Sequence, residues 1–316
     1  MSATDTTREA AIAASGELQA ELEAEQALPT EGVEVVERPD HPAGLLRFES
    51  FPAGTWRTKK GDPAKKDKRG YYLNGQELPS VSSITGTLSA EALIYWAEDH
   101  GMRGAVEAYK LGLFDGVSPE NYIHVAKANG LGASAARDDG AARGHAIHAA
   151  FEILARTGKI PNPAEFPEAW RPYVTGCVRA WLALKPGAVE IEHMVCNPEL
   201  GYAGRLDLVA AVEDVNDDGL GRCLTLIDYK TGKGKVYDKA HYQTRLYDLG
   251  LRCEGIRVDR ILIVGISDEG EFDPVTCAAT DEDALSVLAT YTGRKRINAD
   301  MAAERKARKA RLKAAA

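Results

Sequence analysis

Residues 202–232, YAGRLDLVAAVEDVNDDGLGRCLTLIDYKTG, decide how the chain is read. Two runs rich in apolar and β-branched residues, 202–212 and 223–232, flank a polar segment, 213–222, of hairpin composition, so they read as adjacent antiparallel strands. Side chains alternate faces along a strand, which turns Asp228 and Lys230 one way and Tyr229 the other. Pairing of the two strands brings Asp207 beside Asp228, so that two carboxylates and an ammonium share one site. Paired carboxylates with an open face suit Mg2+ or Mn2+, hard cations that take oxygen ligands and retain water. An ordinary ion pair at a strand end is the competing account of these three residues taken alone.

Outward from this pair the pattern is regular. A strand reads in VEIEHMVC (189–196), and two helices precede it, in AARGHAIHAAFEILART (141–157) and PEAWRPYVTGCVRAWLAL (167–184), where Trp170, Tyr173, Cys177 and Trp181 recur at helical spacing. Downstream come a helix in HYQTRLYDLGLRC (241–253), a strand in RILIVGI (260–266) and a helical pattern from 281 to about 311. Helices before and between strands in this order predict an α/β sandwich. Nearer the start, GYYLNGQELPSV (70–81) reads as a hairpin turned by Asn74-Gly75, and Ser80 or Ser82 can cap a following helix. LIYWAEDHGMRGAVEAY (93–109) has helical spacing, and 113–135 reads as loop with a short helix. The expected organisation is an acidic arm over 1–32, an N-terminal extension with a hairpin and helices over 33–135, a core over 136–295 and a basic helical tail over 296–316.

The 316 residues are 44% hydrophobic and 27% charged, ordinary globular values that argue against wholesale disorder, collagen and disulfide-framework classes. No apolar run reaches the ~18 residues of a membrane span and the N-terminus lacks the pattern of a signal peptide, so a cytoplasmic protein without membrane association is expected. Five cysteines, at 177, 196, 223, 253 and 277, are widely spaced without a C-x-x-C pair and read as buried free thiols. The formal net charge of -8 disfavours an anionic partner only on average. Residues 1–40 carry ten carboxylates and two arginines, a local net of -8, which leaves the rest of the chain neutral. Within that remainder 57–69 has a net charge of +5 and 294–313 of +7, and both suit a phosphate backbone or, equally, a solvated surface.

His148 lies on the helix entered through Arg143-Gly144, with Glu152 one turn on, and Gln243 and Tyr247 have the same spacing on the later helix. The series G144-x-x-x-H148, G204-R-L-D207, D228-Y-K230 and Q243-x-x-x-Y247 resembles, in order and approximate spacing, the RecB-like branch of the PD-(D/E)XK nucleases over roughly 140–270. YYLNGQELPSVSSIT and the Trp96 segment resemble the N-terminal element of phage-encoded members. The resemblance implies a restriction-endonuclease-like core, a central mixed sheet flanked by helices. It implies a metal-dependent DNA exonuclease of phage recombination or repair, with double-stranded ends as substrate. Asp207, Asp228, His148 and the Tyr229 backbone carbonyl would hold Mg2+ or Mn2+, Asp207, Asp228 and Lys230 would be catalytic, and Arg143, Glu152, Gln243 and Tyr247 would bind DNA or brace the site. A single-strand annealing partner and a homo-oligomer are further implications. Asp228 stands where Glu is common, and no clustered cysteines accompany the core, so no iron-sulfur cluster is expected.

Two other functions remain open on the sequence: a flap or structure-specific endonuclease, which the same core motifs would serve, and a non-catalytic DNA-binding scaffold. Other signals are weaker. HAIH (145–148) lacks the glutamate of HExxH, Asp214-x-Asn216-x-Asp218-Gly219 lacks the glutamate of a calcium loop at Thr225, and TGKGK (231–235) lacks phosphate-loop spacing.

Overall fold

The structure, a computed structural model, describes residues 32–56, 67–88, 91–213 and 221–314. The acidic arm (apart from residue 32), most of the 57–69 basic stretch and most of the 213–222 connection lie outside the described residues. Two compact units part between Leu78 and Pro79. The extension expected over 33–135 is therefore divided, its helices belonging to the larger unit.

The smaller unit is an antiparallel meander of β1 (Glu34–Arg38), β2 (Leu46–Phe51), β3 (Lys68–Leu73) and β4 (Gln76–Leu78), in that spatial order. Asn74 and Gly75 adopt φ of 50° and 82°, the pair of positive angles a two-residue type I' turn needs. The Asn74 side chain also accepts from the Leu45 amide at 3.0 Å and donates to the Ala43 carbonyl at 3.0 Å, latching this turn to the one before β2. Leu46, Phe48, Tyr71 and Leu78 form its buried side.

The larger unit is an α/β layer structure. Its sheet runs β5 (Gly187–Asn197), β6 (Tyr202–Val212), β7 (Cys223–Thr231), β8 (Arg260–Ile266), β9 (Phe272–Thr276), with neighbours antiparallel except the parallel pair β7 and β8. That parallel pair needs a crossover, supplied by α6 (Asp238–Cys253). The earlier helices are α1 (Val81–Thr85), α2 (Glu91–Lys110), α3 (Tyr122–Ala128), α4 (Ala133–Thr157) and α5 (Arg171–Leu184), and α7 (Asp281–Ala314) follows β9. Ser80 caps α1 by accepting from the Ser83 amide at 3.0 Å. The boundary expected at 295/296 falls inside α7, which continues through it, and β9 is an edge strand that the sequence pattern did not disclose.

Both faces of the sheet are covered. On one, Ile147, Phe151 and Leu154 of α4 and Tyr173, Val174 and Cys177 of α5 pack on Leu208, Ile227, Tyr229, Leu262 and Val264. On the other, Val81 and Ile84 of α1, Leu246, Tyr247 and Leu251 of α6 and Ala284 and Val287 of α7 pack on Val195, Leu206, Val209, Leu226 and Ile261. The expectation of buried thiols holds for Cys177 and Cys196 only; Cys223 and Cys277 are half-buried, and Cys253, in the last turn of α6, is exposed. Among the described residues no helix is long and apolar enough to cross a membrane.

Gly204 shows how tightly the second face is assembled. A Cβ there would lie 2.6 Å from Tyr247 Cε1 and 3.0 Å from Val81 Cγ2, and Tyr247 is buried with nowhere to turn. Gly204→Ala is expected to cost about 1–3 kcal/mol by overpacking, read as a lowered urea midpoint, and Tyr247→Leu in the same chain to recover part of it.

Candidate metal centre

The site arises where β6 leaves β7. Their ladder ends at the pair Leu208 and Ile227, and the next amide, that of Tyr229, donates instead to Asp207 Oδ2 at 2.8 Å. In an extended strand the N–H and C=O of one residue face the same edge, so the Tyr229 carbonyl also points toward the side that β6 vacates. The Tyr229 ring turns the opposite way from its neighbours, into the core, 4.7 Å from the Phe151 ring. Asp228 and Lys230 share the other side of the strand, with Lys230 Nζ 2.5 Å from Asp228 Oδ2.

His148, on α4, reaches Asp207 with Nδ1 3.3 Å from Oδ1. The third member of the cluster is Glu192 of β5, a residue that the sequence reading passed over. Donor atoms of His148, Glu192 and Asp207 all lie within 4.8 Å of one another; Asp228, held by Lys230, is not in this group. Glu192 stands between Ile191 and His193, which pair with Leu208 and Leu206, so it faces Asp207 across the ladder. Its φ is 49°, the left-handed region that a non-glycine residue rarely adopts. Strand alternation fails there: the adjacent residues Ile191 and Glu192 line one cleft, as do Asp207 and Leu208 on the facing strand. Matching breaks in two neighbouring strands thus turn two carboxylates toward α4. The signal available in the sequence was the second glutamate of VEIEH, but regular alternation gives it no direction toward the site.

Charge is concentrated and poorly solvated here. The Asp207 carboxylate beside it raises the His148 pKa to about 9 against the opposing effect of burial. Burial first, and then the negative charge of Asp207, push Glu192 up to about 7. Burial raises Asp228 to about 6, with Lys230 opposing and Asp207 adding to the rise. Asp207 itself is lowered: burial works against ionisation, but His148, Lys230 and the Tyr229 amide outweigh it. Lys230 is raised because Asp228 and Asp207 more than offset its burial. One imidazole and two carboxylates form a donor set that suits Mg2+ or Mn2+, the imidazole favouring the softer Mn2+.

The remaining residues singled out by sequence divide between the helices on the two faces of the sheet. Glu152 lines the cleft and pairs with Arg156 at 2.9 Å. Arg143 lies with its guanidinium 4.2 Å over the Tyr173 ring and 3.7 Å from Asp139, a half-buried position between α4 and α5. Gln243 donates to the Tyr247 hydroxyl at 2.9 Å, and the buried Tyr247 ring supports the Gly204 backbone three residues before Asp207. Gln243 and Tyr247 thus form a bonded pair packed behind the strand that carries Asp207. Compared with protein-family models and with curated proteins, the sequence matches none.

The electrostatics fix a pH dependence for the metal-free protein. His148 binds its proton more tightly folded than unfolded, so its stabilisation is complete below its ordinary value of 6.5 and is lost as pH rises through 9. Glu192 and Asp228, also raised, lose stability in the same direction from about pH 4 to 7. Stability is therefore expected to fall from pH 5 to 9, and His148→Gln to flatten the upper half of that curve by up to about 3 kcal/mol, measured by urea unfolding at each pH.

Proposed function

We propose that the protein is a metal-dependent deoxyribonuclease with a PD-(D/E)XK core, acting as an exonuclease on double-stranded DNA ends in phage recombination or repair. The observation that carries the catalytic part is the convergence of His148, Glu192 and Asp207 beside the Asp228–Lys230 pair. The mixed sheet covered by helices on both faces agrees with that core. The choice of DNA ends rests on the motif series G144-x-x-x-H148 to Q243-x-x-x-Y247.

His148, Glu192, Asp207 and the Tyr229 carbonyl would hold the cation, which supplies Lewis-acid polarisation of a phosphodiester and a lowered pKa of bound water. Asp207 has two tasks set by its two oxygens: Oδ2 fixes the Tyr229 backbone, and Oδ1 faces His148. Lys230 is positioned by Asp228 and remains charged at neutral pH. Its ammonium therefore orients the attacking water and offsets the charge that grows on the phosphoryl oxygens, and proton abstraction falls to another group. Tyr229 and Phe151 close the floor of the cleft with apolar surface, which strengthens these interactions by keeping the site poorly solvated.

The test is end-labelled linear duplex beside a covalently closed circle, with Mg2+ or Mn2+ and an EDTA control. Metal-dependent loss of the linear DNA alone is expected; cutting of the circle would make the enzyme an endonuclease. Asp207→Ala and Lys230→Ala are each expected to lower the cleavage rate about 10²–10³-fold or more while DNA binding in EDTA persists. Unchanged cleavage in both variants would sink the mechanism. Glu192→Gln, which keeps the shape of the side chain, is expected to weaken Mn2+ binding at least about tenfold by calorimetry at pH 8.

A further inference from the structure

The longest helix, α7, has two unlike halves. Its first turns place Ala284, Val287 and Leu288 in the core of the larger unit. From Arg294 to Lys313 every residue is exposed. This half carries nine basic and two acidic residues, and among the described residues none of its cations forms an ion pair. At its root Arg294 donates to the Thr87 carbonyl at 3.0 Å and Lys295 lies 5.2 Å from the Tyr291 ring.

The cations are not spread evenly. At 100° per residue, Arg294, Lys295, Arg305, Lys306, Lys309 and Lys313 occupy about a third of the circumference, while Asp300 and Glu304 lie on the opposite side. Arg305, Lys309 and Lys313 follow one another at intervals of four, a spacing at which like charges repel and weaken a helix. The helix dipole favours Arg311 and Lys313 in the last turn, but the isolated protein gains nothing from the repulsions between successive cations of the face, whereas a polyanion laid along it converts each repulsion into an attraction. The face is about 28 Å long at 1.5 Å per residue, the length of some eight base pairs of duplex.

We infer that the exposed half of α7 is a DNA tether, which binds the phosphate backbone of a duplex without reading its sequence. This rests on the proposed nuclease reading and adds to it a second, metal-independent hold on the substrate. A lipid surface suits the helix poorly: Ile297, Met301 and Leu312 are its only large apolar residues, and the other apolar positions are alanine. The composition also favours position over readout, because Lys and Arg spaced by Ala address phosphates and the face presents no ordered set of amide side chains to base edges.

The experiment is fluorescence anisotropy of a labelled duplex with the full chain in EDTA, titrated between 50 and 200 mM salt. Arg305, Lys306, Lys309 and Lys313 are replaced together by Gln, which keeps helix propensity, and Arg296→Gln with Arg311→Gln serves as the off-face control. Loss of four phosphate contacts is expected to reduce the slope of log K against log salt by about 3 to 4. The wild-type advantage should then shrink roughly a hundredfold across that salt range, with the control near wild type. Duplex DNA should also raise the helical circular dichroism of the wild type and not of the fourfold variant. Unchanged affinity and slope in the fourfold variant would overturn the tether, as would equal losses per charge in the off-face control. Binding to phosphatidylserine vesicles, with DNA affinity unaffected by the four changes, would assign the face to membranes instead. DNA affinity appearing only after removal of residues 1–31 would assign it to the chain's own acidic segment. Failure of the nuclease reading shows separately, as cleavage that survives Asp207→Ala, and leaves this binding assay untouched.

Discussion

The bond from the Tyr229 amide to Asp207 Oδ2 is the constraint on which the site depends. It terminates the ladder between β6 and β7 without leaving the amide unpaired in a buried place, a loss that would cost about 1–3 kcal/mol. It also commits one oxygen of Asp207 to structure and presents the other to His148. The parting of two strands, the orientation of the Tyr229 carbonyl and the placing of a carboxylate at the mouth of the gap are thus one event. Tyr247 backs that event from the opposite face, because its ring occupies the space that any side chain at position 204 would need.

A site built this way gathers more negative charge than it can solvate. Glu192, Asp207 and Asp228 lie among buried apolar groups, and without a further cation their charges are met by Lys230, by a proton on His148 and, for Glu192, by Arg205 as well. Raised values for Glu192 and Asp228 beside a lowered one for Asp207 express a division of labour: Asp207 keeps its charge to lower pH than an ordinary carboxyl, and its two neighbours take up protons first as pH falls. On the proposed reading a divalent cation replaces those protons. The left-handed backbone of Glu192 fits the same view, since strain of this kind, about 1–3 kcal/mol, persists only where surrounding structure enforces it.

Much of this was legible in the sequence where regular periodicity held. Alternation along CLTLIDYKTG sets Asp228 and Lys230 on one side and Tyr229 on the other, and helical spacing joins Gln243 to Tyr247. Order and type of the helices and strands in the larger unit follow from the same patterns, and Ser80 was one of two caps that the sequence offered. Legibility ended where periodicity breaks. Glu192 reaches the site through a left-handed residue and a register shift between Ala188 and Glu190, and neither leaves a mark that residue identity alone reveals. β9, with FDPVT, carries a proline that its edge position tolerates and that hides it from a strand pattern. The division at Leu78 and Pro79 was hidden because a hairpin and a helix cap follow one another there without any linker composition.

Net charge is the quantity that misleads most in this chain, and the reason is physical. Screening at physiological salt limits the reach of a charge to about 8 Å, so a partner feels local faces and not the sum. A cluster of carboxylates repels phosphate until a cation is bound, so on the proposed reading the cluster by itself would be a poor first contact for DNA. Cations kept apart from that cluster, on a helix face whose own charges repel one another, can engage a backbone whether or not the centre is loaded. Holding substrate and cleaving it would then answer to different ions, monovalent salt for the first and a divalent cation for the second, and separating the two charges along the chain is what makes such independence available.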